Sequence, residues 1–244
     1  MNFDTLDTEE KAQQFRMDRL KKIEDGKVLG ALGEASYCIL HWLPISKEML
    51  FKTNDLHPIN FSKFVPMDID RIEKSNQDGV WFHSYEKDKI KKIDSLVDKY
   101  LQTRWFWNAQ IFRSGALEIA YALPFSEDEY NKKWTSSTAI FIKLQERMYG
   151  FKKCMSHFDI TAPIMVGVSL LHVLNYRFFD KDYGFFDSRA YSDKEQEISQ
   201  MVLIKNLDNM EKEKRKIFDM LWQVFGYEKC YYYDECGKLI LKTW

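Results

Sequence analysis

The chain is short of almost everything that marks a specialised class of protein. Its four cysteines, Cys38, Cys154, Cys230 and Cys236, are scattered through 244 residues. Only the last two are close, at a C-x5-C spacing that fits no common zinc knuckle. Such usage excludes a disulfide-stapled secreted scaffold, and the thiols are read as reduced. Ten glycines and five prolines are too few for long flexible or low-complexity linkers. Thirty-six Lys plus Arg against thirty-seven Asp plus Glu leave a formal net charge of −1, so bulk electrostatics give no grip on a phosphate backbone. No apolar run approaches the roughly eighteen residues a membrane span needs. The stretch MNFDTLDTEEKAQQF is acidic and polar, unlike a signal peptide. No membrane association is expected, and the expected location is the cytoplasm.

Recognisable chemistry is equally scarce. The five histidines, His41, His57, His83, His157 and His172, form no HExxH or H-x3-H pair that would set two imidazoles on one helical face. Ser46 and Ser169 lack the G-x-S-x-G context of an activated nucleophile. Gly30 to Ser36, GALGEAS, has neither the P-loop lysine nor the third Rossmann glycine. Met67-Asp68-Ile69-Asp70 offers two carboxylates with no identifiable third ligand. No cofactor and no metal are therefore expected.

What remains is an ordered chain, 45% hydrophobic and 16% aromatic, long enough for a substantial core. Thr8 to Asp25 predicts a helix, with Thr8 or Asp7 as cap, Glu9 and Glu10 in its first turn, Lys21 and Lys22 in its last, and Gly26 as its stop. Its inward stripe is thin: Ala12, Phe15, Arg19 and Ile23. On that reading residues 1–26 are a separable leading helix and linker to an upstream domain or partner. Residues 27–244 then form a single α/β globular domain that survives removal of everything before Gly26.

ASYCILHWLPI reads as a buried strand, with a short helix expected from Ser46 to Phe51. Asp78-Gly79 turns into the strand VWFHSYE. KDKIKKIDSLVDKY interleaves acids and bases as a solvated helix does. TRWFWNAQIFRSGALEIAYAL is a hairpin about Arg113-Ser114-Gly115, with Trp105, Trp107, Ala109 and Ile111 on one face and Phe106, Asn108, Gln110 and Phe112 on the other. A long helix is expected from Glu127 to Phe151 with Gly150 as its stop. APIMVGVSLLHVLNYRFF fits either a central strand or a buried helix, and SQMVLIKNL reads as a short strand. Phe218, Leu221, Trp222 and Phe225 share one stripe of a closing helix, which Gly226 stops before a hairpin turning at Asp234 to Gly237. The expected fold class is α+β (mixed α/β), a central, largely antiparallel sheet with hairpins, covered by several helices.

Two candidate sites emerge. Arg104, Trp105, Trp107, Gln110 and Arg113 combine aromatic planes with cations and amides of the kind that stack bases or anchor a protein partner. His41 and His83 lie in strand-like runs, and pairing of adjacent strands would bring them together as the weak catalytic candidate.

The order of elements resembles the region that follows the AlbA-type, Schlafen-like DNA-binding domain in many bacterial proteins. The correspondence runs through Phe15-Arg16 with Arg19, Ile23 and Gly26, then His41-Trp-Leu-Pro44, Asp78-Gly79 and Gln110-Ile-Phe-Arg113-Ser-Gly115. It ends with Phe218-Asp219-Met-Leu-Trp222, Gly226, Tyr233-Asp234 and Gly237. The AlbA-type motif residues themselves have no counterpart here. The resemblance implies a non-catalytic accessory module serving a nucleic-acid-acting partner or an upstream AlbA-type domain, in a setting such as bacterial antiviral defence. With the interleaved charge, it makes nucleic-acid binding by this chain alone unexpected. The alternative expectation is a nuclease or hydrolase with a dispersed site around His41 and His83.

Overall fold

The computed structural model describes residues 6–27, 36–45, 71–76, 79–86, 105–123, 126–127, 133–161, 163–179 and 196–240; the side chains of 71–76, 79–86, 105–108, 126–127, 179 and 196–198 lie outside that description. So do the short helix expected at 46–51, the charged helix at 87–100, and Asp78.

The fold is α+β. In chain order the described elements are α1 (Glu9–Glu24), β1 (Tyr37–Pro44), β2 (Arg71–Asn76), β3 (Gly79–Glu86), β4 (Trp105–Phe112), β5 (Leu117–Ala122), β6 (Ser126–Glu127), β7 (Lys133–Ser136), α2 (Ser137–His157), β8 (Ile164–Leu171), β9 (Tyr176–Phe179), β10 (Gln196–Ile198), β11 (Val202–Ile204) and α3 (Met210–Val224). The main sheet runs β10-β8-β1-β5-β4-β3-β2, with β11 also paired to β8. Every pairing in it is antiparallel. All eight residues of β1 and of β8 are buried, which is why both read as near-continuous apolar runs: each has a neighbour on either side and a helix layer on either face.

Alternation divides the strands between two layers. Cys38, Leu40, Trp42, Ala109, Ile111, Ile119, Val166 and Val168 join α2 and α3 in the larger cluster. Tyr37, Ile39, Leu43, Phe112, Ala120 and Met165 point the other way and pack with Phe15, Leu20 and Ile23 of α1. Trp222, fully buried as its stripe predicts, meets Phe141, Phe178, Phe218, Tyr231 and Tyr232 edge-on at 4.9–6.3 Å between ring centroids.

Three expectations need correction. The helix expected from residue 127 begins at Ser137, capped by Ser136, whose hydroxyl accepts from the Ala139 amide at 3.2 Å. Before it, β7 pairs with β6 and, in parallel, with β9. Trp134, placed in the helical stripe, belongs to β7, with the Arg177 guanidinium over its ring. Gly150 is no stop either, because it is buried and the apolar stripe continues through Phe151, Cys154 and Met155 to His157; an interior glycine costs only about 1 kcal/mol against alanine. The ambiguous segment after Pro163 is the strand β8, and its tail is a second strand, β9, in a separate three-stranded sheet. At the C-terminal end the hairpin reduces to one bridge, Tyr233 to Leu239, closed by the Asp234 carboxylate accepting from the Lys238 amide at 2.8 Å.

Candidate functional site

A buried polar layer lies between α1 and the sheet. Thr8 caps α1, its hydroxyl accepting from the Lys11 amide at 3.1 Å. Gly26, at φ +66°, ends the helix with paired bonds from Gly26 N to Ile23 O and from Lys27 N to Lys22 O. Between these ends the helix turns Ala12, Phe15, Arg16, Arg19, Leu20 and Ile23 inward. Two of the six are arginines, and the sheet meets them with a polar row. Gly167, His41, Glu118 and Gln110 are register partners across β8, β1, β5 and β4.

Arg19 grips Glu118 with two nitrogens, Nε to Oε2 at 2.9 Å and Nη2 to Oε1 at 2.8 Å. The same Nη2 donates to Gln110 Oε1 at 2.9 Å, and the guanidinium lies over the Phe112 ring, 4.9 Å from its centroid. His41 Nε2 donates to Glu118 Oε2 at 3.0 Å. Burial would raise the Glu118 carboxyl, but the Arg19 charge and hydrogen bonds, with that of His41, outweigh it and hold the group well below the usual carboxylate range. Burial pushes the His41 imidazole down, opposed by Glu118 and reinforced by the charges of Arg16 and Arg19. The resident state is therefore arginine cation, glutamate anion and neutral imidazole protonated on Nε2. His41 Nδ1 and Gln110 Nε2 have no hydrogen-bond partner.

Arg16 enters the layer beside Gly167. It donates to Ser199 O at 2.7 Å, Val168 O at 2.8 Å and Ser169 Oγ at 2.7 Å. All three acceptors are neutral oxygens, and burial brings its pKa down to about 10, which leaves it charged at neutral pH. A Cβ on residue 167 would stand 2.8 Å from Arg16 Cζ and Nη1. Glycine is what lets the guanidinium lie flat on the sheet. Ser199 sits where the edge leaves the ladder between β10 and β11, its hydroxyl bonded to Val168 O at 2.6 Å, so Arg16 also fastens that break.

The sequence-predicted residues are only partly gathered. His41 and His83 are not on adjacent strands: β5 and β4 separate β1 from β3, a spacing of roughly 14 Å at about 4.8 Å per strand. The register partners of His83 are Arg71 and Asn108, and those of His41 are Glu118 and Gly167. Within the hairpin set, Gln110 is 2% exposed and bonded to Arg19, which takes it out of any surface. Arg113 is half-buried in the turn. Trp105 and Trp107 lie on β4, while their side chains and all of Arg104 fall outside the described residues.

Sequence reasoning missed Glu118 and Gly167, placed Arg16 only within the resemblance, and weighed Ser169 only as a nucleophile. The available signal was two arginines three apart inside an apolar stripe, and a glutamate on an inward position of LEIAYA. Chemically, the layer is a fastening. Glu118 has both oxygens engaged by a guanidinium, and His41 is 0% exposed. Among the described residues no three His, Cys, Asp or Glu side chains gather as metal ligands, and no helix is long and apolar enough to cross a membrane. Fold and layer together define an α+β domain whose first helix is fastened to the sheet by buried charge. No family model matches the chain, and no curated protein or solved structure matches it at a significant level.

Proposed function

We propose that the chain is a non-catalytic interaction module, accessory to a nucleic-acid-acting protein partner or an upstream AlbA-type domain, in a setting such as bacterial antiviral defence. The observation that carries this reading is the assignment of the buried histidine, glutamate and arginines to shape. Arg16, Arg19, His41 and Glu118 hold α1 across β8, β1 and β5, and a carboxylate held by a bidentate guanidinium is a poor base. The resemblance supports it further, since Phe15, Arg16, Arg19, Ile23 and His41 are among the residues that carry the likeness and also those that close this seam. The hydrolase alternative loses its premise with the separation of His41 from His83.

The test is fluorescence polarisation with single- and double-stranded DNA and RNA across a salt series, beside co-purification from the native host. The expected result is no oligonucleotide binding at micromolar protein, and a stoichiometric protein partner. Micromolar binding that weakens steeply with salt and is lost on Arg113→Glu would replace this reading with that of a nucleic-acid module.

A further inference from the structure

A trough crosses the surface where the last two turns of α2 meet the start of α3. It consists of two adjoining depressions of about 520 and 500 Å³ that share Ser156. Tyr149, 55% exposed and the most exposed of the large hydrophobic side chains described, stands at one end. Lys205 stands in the other depression. Lys153 Nζ lies 4.4 Å from the Tyr149 ring centroid, and Lys152 Nζ donates to Leu207 O at 3.3 Å across the middle. Among the described residues none of these three ammonium groups is in an ion pair, whereas Glu211 on the same rim is matched by the buried Lys214 at 2.8 Å. The floor is apolar, formed by Met210, Ile160 and Leu207.

Resting on the interaction-module reading, we propose that this trough is where the partner docks, through an acidic peptide segment with a hydrophobic residue between its carboxylates. Ammonium groups lie in both depressions over an apolar floor, with the Tyr149 ring at one end. Singly charged carboxylates separated by an aliphatic or aromatic side chain complement that order. Nucleic acid fits less well. The cations are lysines without the bidentate fork of arginine, and three cations neutralise too few phosphates for a firm grip. Tyr149 is the anchor, because it is the most exposed large hydrophobic side chain described and aromatic side chains carry a disproportionate share of binding energy in protein contacts.

The experiment selects peptides from a random display library on the immobilised full chain. The best peptide is then titrated by fluorescence polarisation, with a labelled thymidine oligonucleotide in parallel. Acidic peptides bearing one aromatic or aliphatic residue are expected, weakened about tenfold or more by Tyr149→Ala and by Lys153→Glu and unchanged by Met17→Ala on the exposed face of α1. Thermal melts check that the surface variants remain folded. Selected peptides without acidic residues, or affinities indifferent to Tyr149 and Lys153, overturn the proposal. Oligonucleotide binding lost on the same substitutions makes the trough a nucleic-acid surface instead. A native partner that still co-purifies with the Tyr149→Ala, Lys153→Glu double variant removes the trough while leaving the module reading intact.

Discussion

At the scale of single residues, the buried charges hold most of the structural information. Glu118 is 5% exposed and Arg19 6%, so removing either partner strands the other without solvent. Arg19→Met should destabilise the domain by about 3–5 kcal/mol, whereas replacing Arg19 and Glu118 together with apolar residues of similar volume should cost much less. Urea denaturation of the two single variants and the double variant measures this coupling directly. A double-variant loss equal to the sum of the two single losses would show that the pair is not energetically linked. Gly167 makes a second cycle with Arg16. A methyl at 167 collides with the guanidinium, so Gly167→Ala should lower the denaturation midpoint in the wild-type background and do so much less when Arg16 is already leucine. An additive outcome would place the strain of the alanine elsewhere.

At the scale of elements, α1 shows what the sequence carries and what it hides. Its limits were legible because caps are local chemistry: Thr8, the acidic first turn, the basic last turn and Gly26 all act where they were read. Its attachment was not legible, since a stripe interrupted by Arg16 and Arg19 looks solvated until the facing row of His41, Glu118 and Gln110 is known, and that row joins β1 to the β4–β5 hairpin, both far from α1 in sequence. The hairpin of β4 and β5 was readable for the same local reason as the caps. The start of α2 was not, because Trp134 fits a helical stripe as well as a strand and only its parallel pairing with β9 decides. The separability expected of residues 1–26 gives way to the opposite prediction. Phe15, Leu20 and Ile23 are each buried and contribute about 1.5–3 kcal/mol apiece, against a typical domain stability of about 5–15 kcal/mol. Deleting everything before Gly26 should abolish the cooperative unfolding transition, as followed by circular dichroism. A truncated chain that melts cooperatively near the wild-type temperature would restore the separable helix.

At the scale of the whole molecule, the buried layer sets how stability responds to acid. His41 is held neutral in the folded chain, with its pKa below the ordinary value, whereas in the unfolded chain it titrates near about 6.5. Below that pH the unfolded state binds a proton that the folded state refuses, so stability falls as pH drops from about 6.5 toward the folded value. Glu118 acts in the same direction lower down. Its folded pKa is depressed, so its contribution is complete above the unfolded value of about 4.3 and is lost progressively below it. Other titrating groups add their own slopes, so the diagnostic quantity is a difference between variants. His41→Gln should lower the urea midpoint at neutral pH and also flatten its decline between about pH 6.5 and 5, leaving the steeper loss below about pH 4.3 in place. If the wild-type and His41→Gln curves run parallel from pH 7.5 to 5, the imidazole binds its proton equally in the folded and unfolded chains, and the neutral His41 of the fastening layer is wrong.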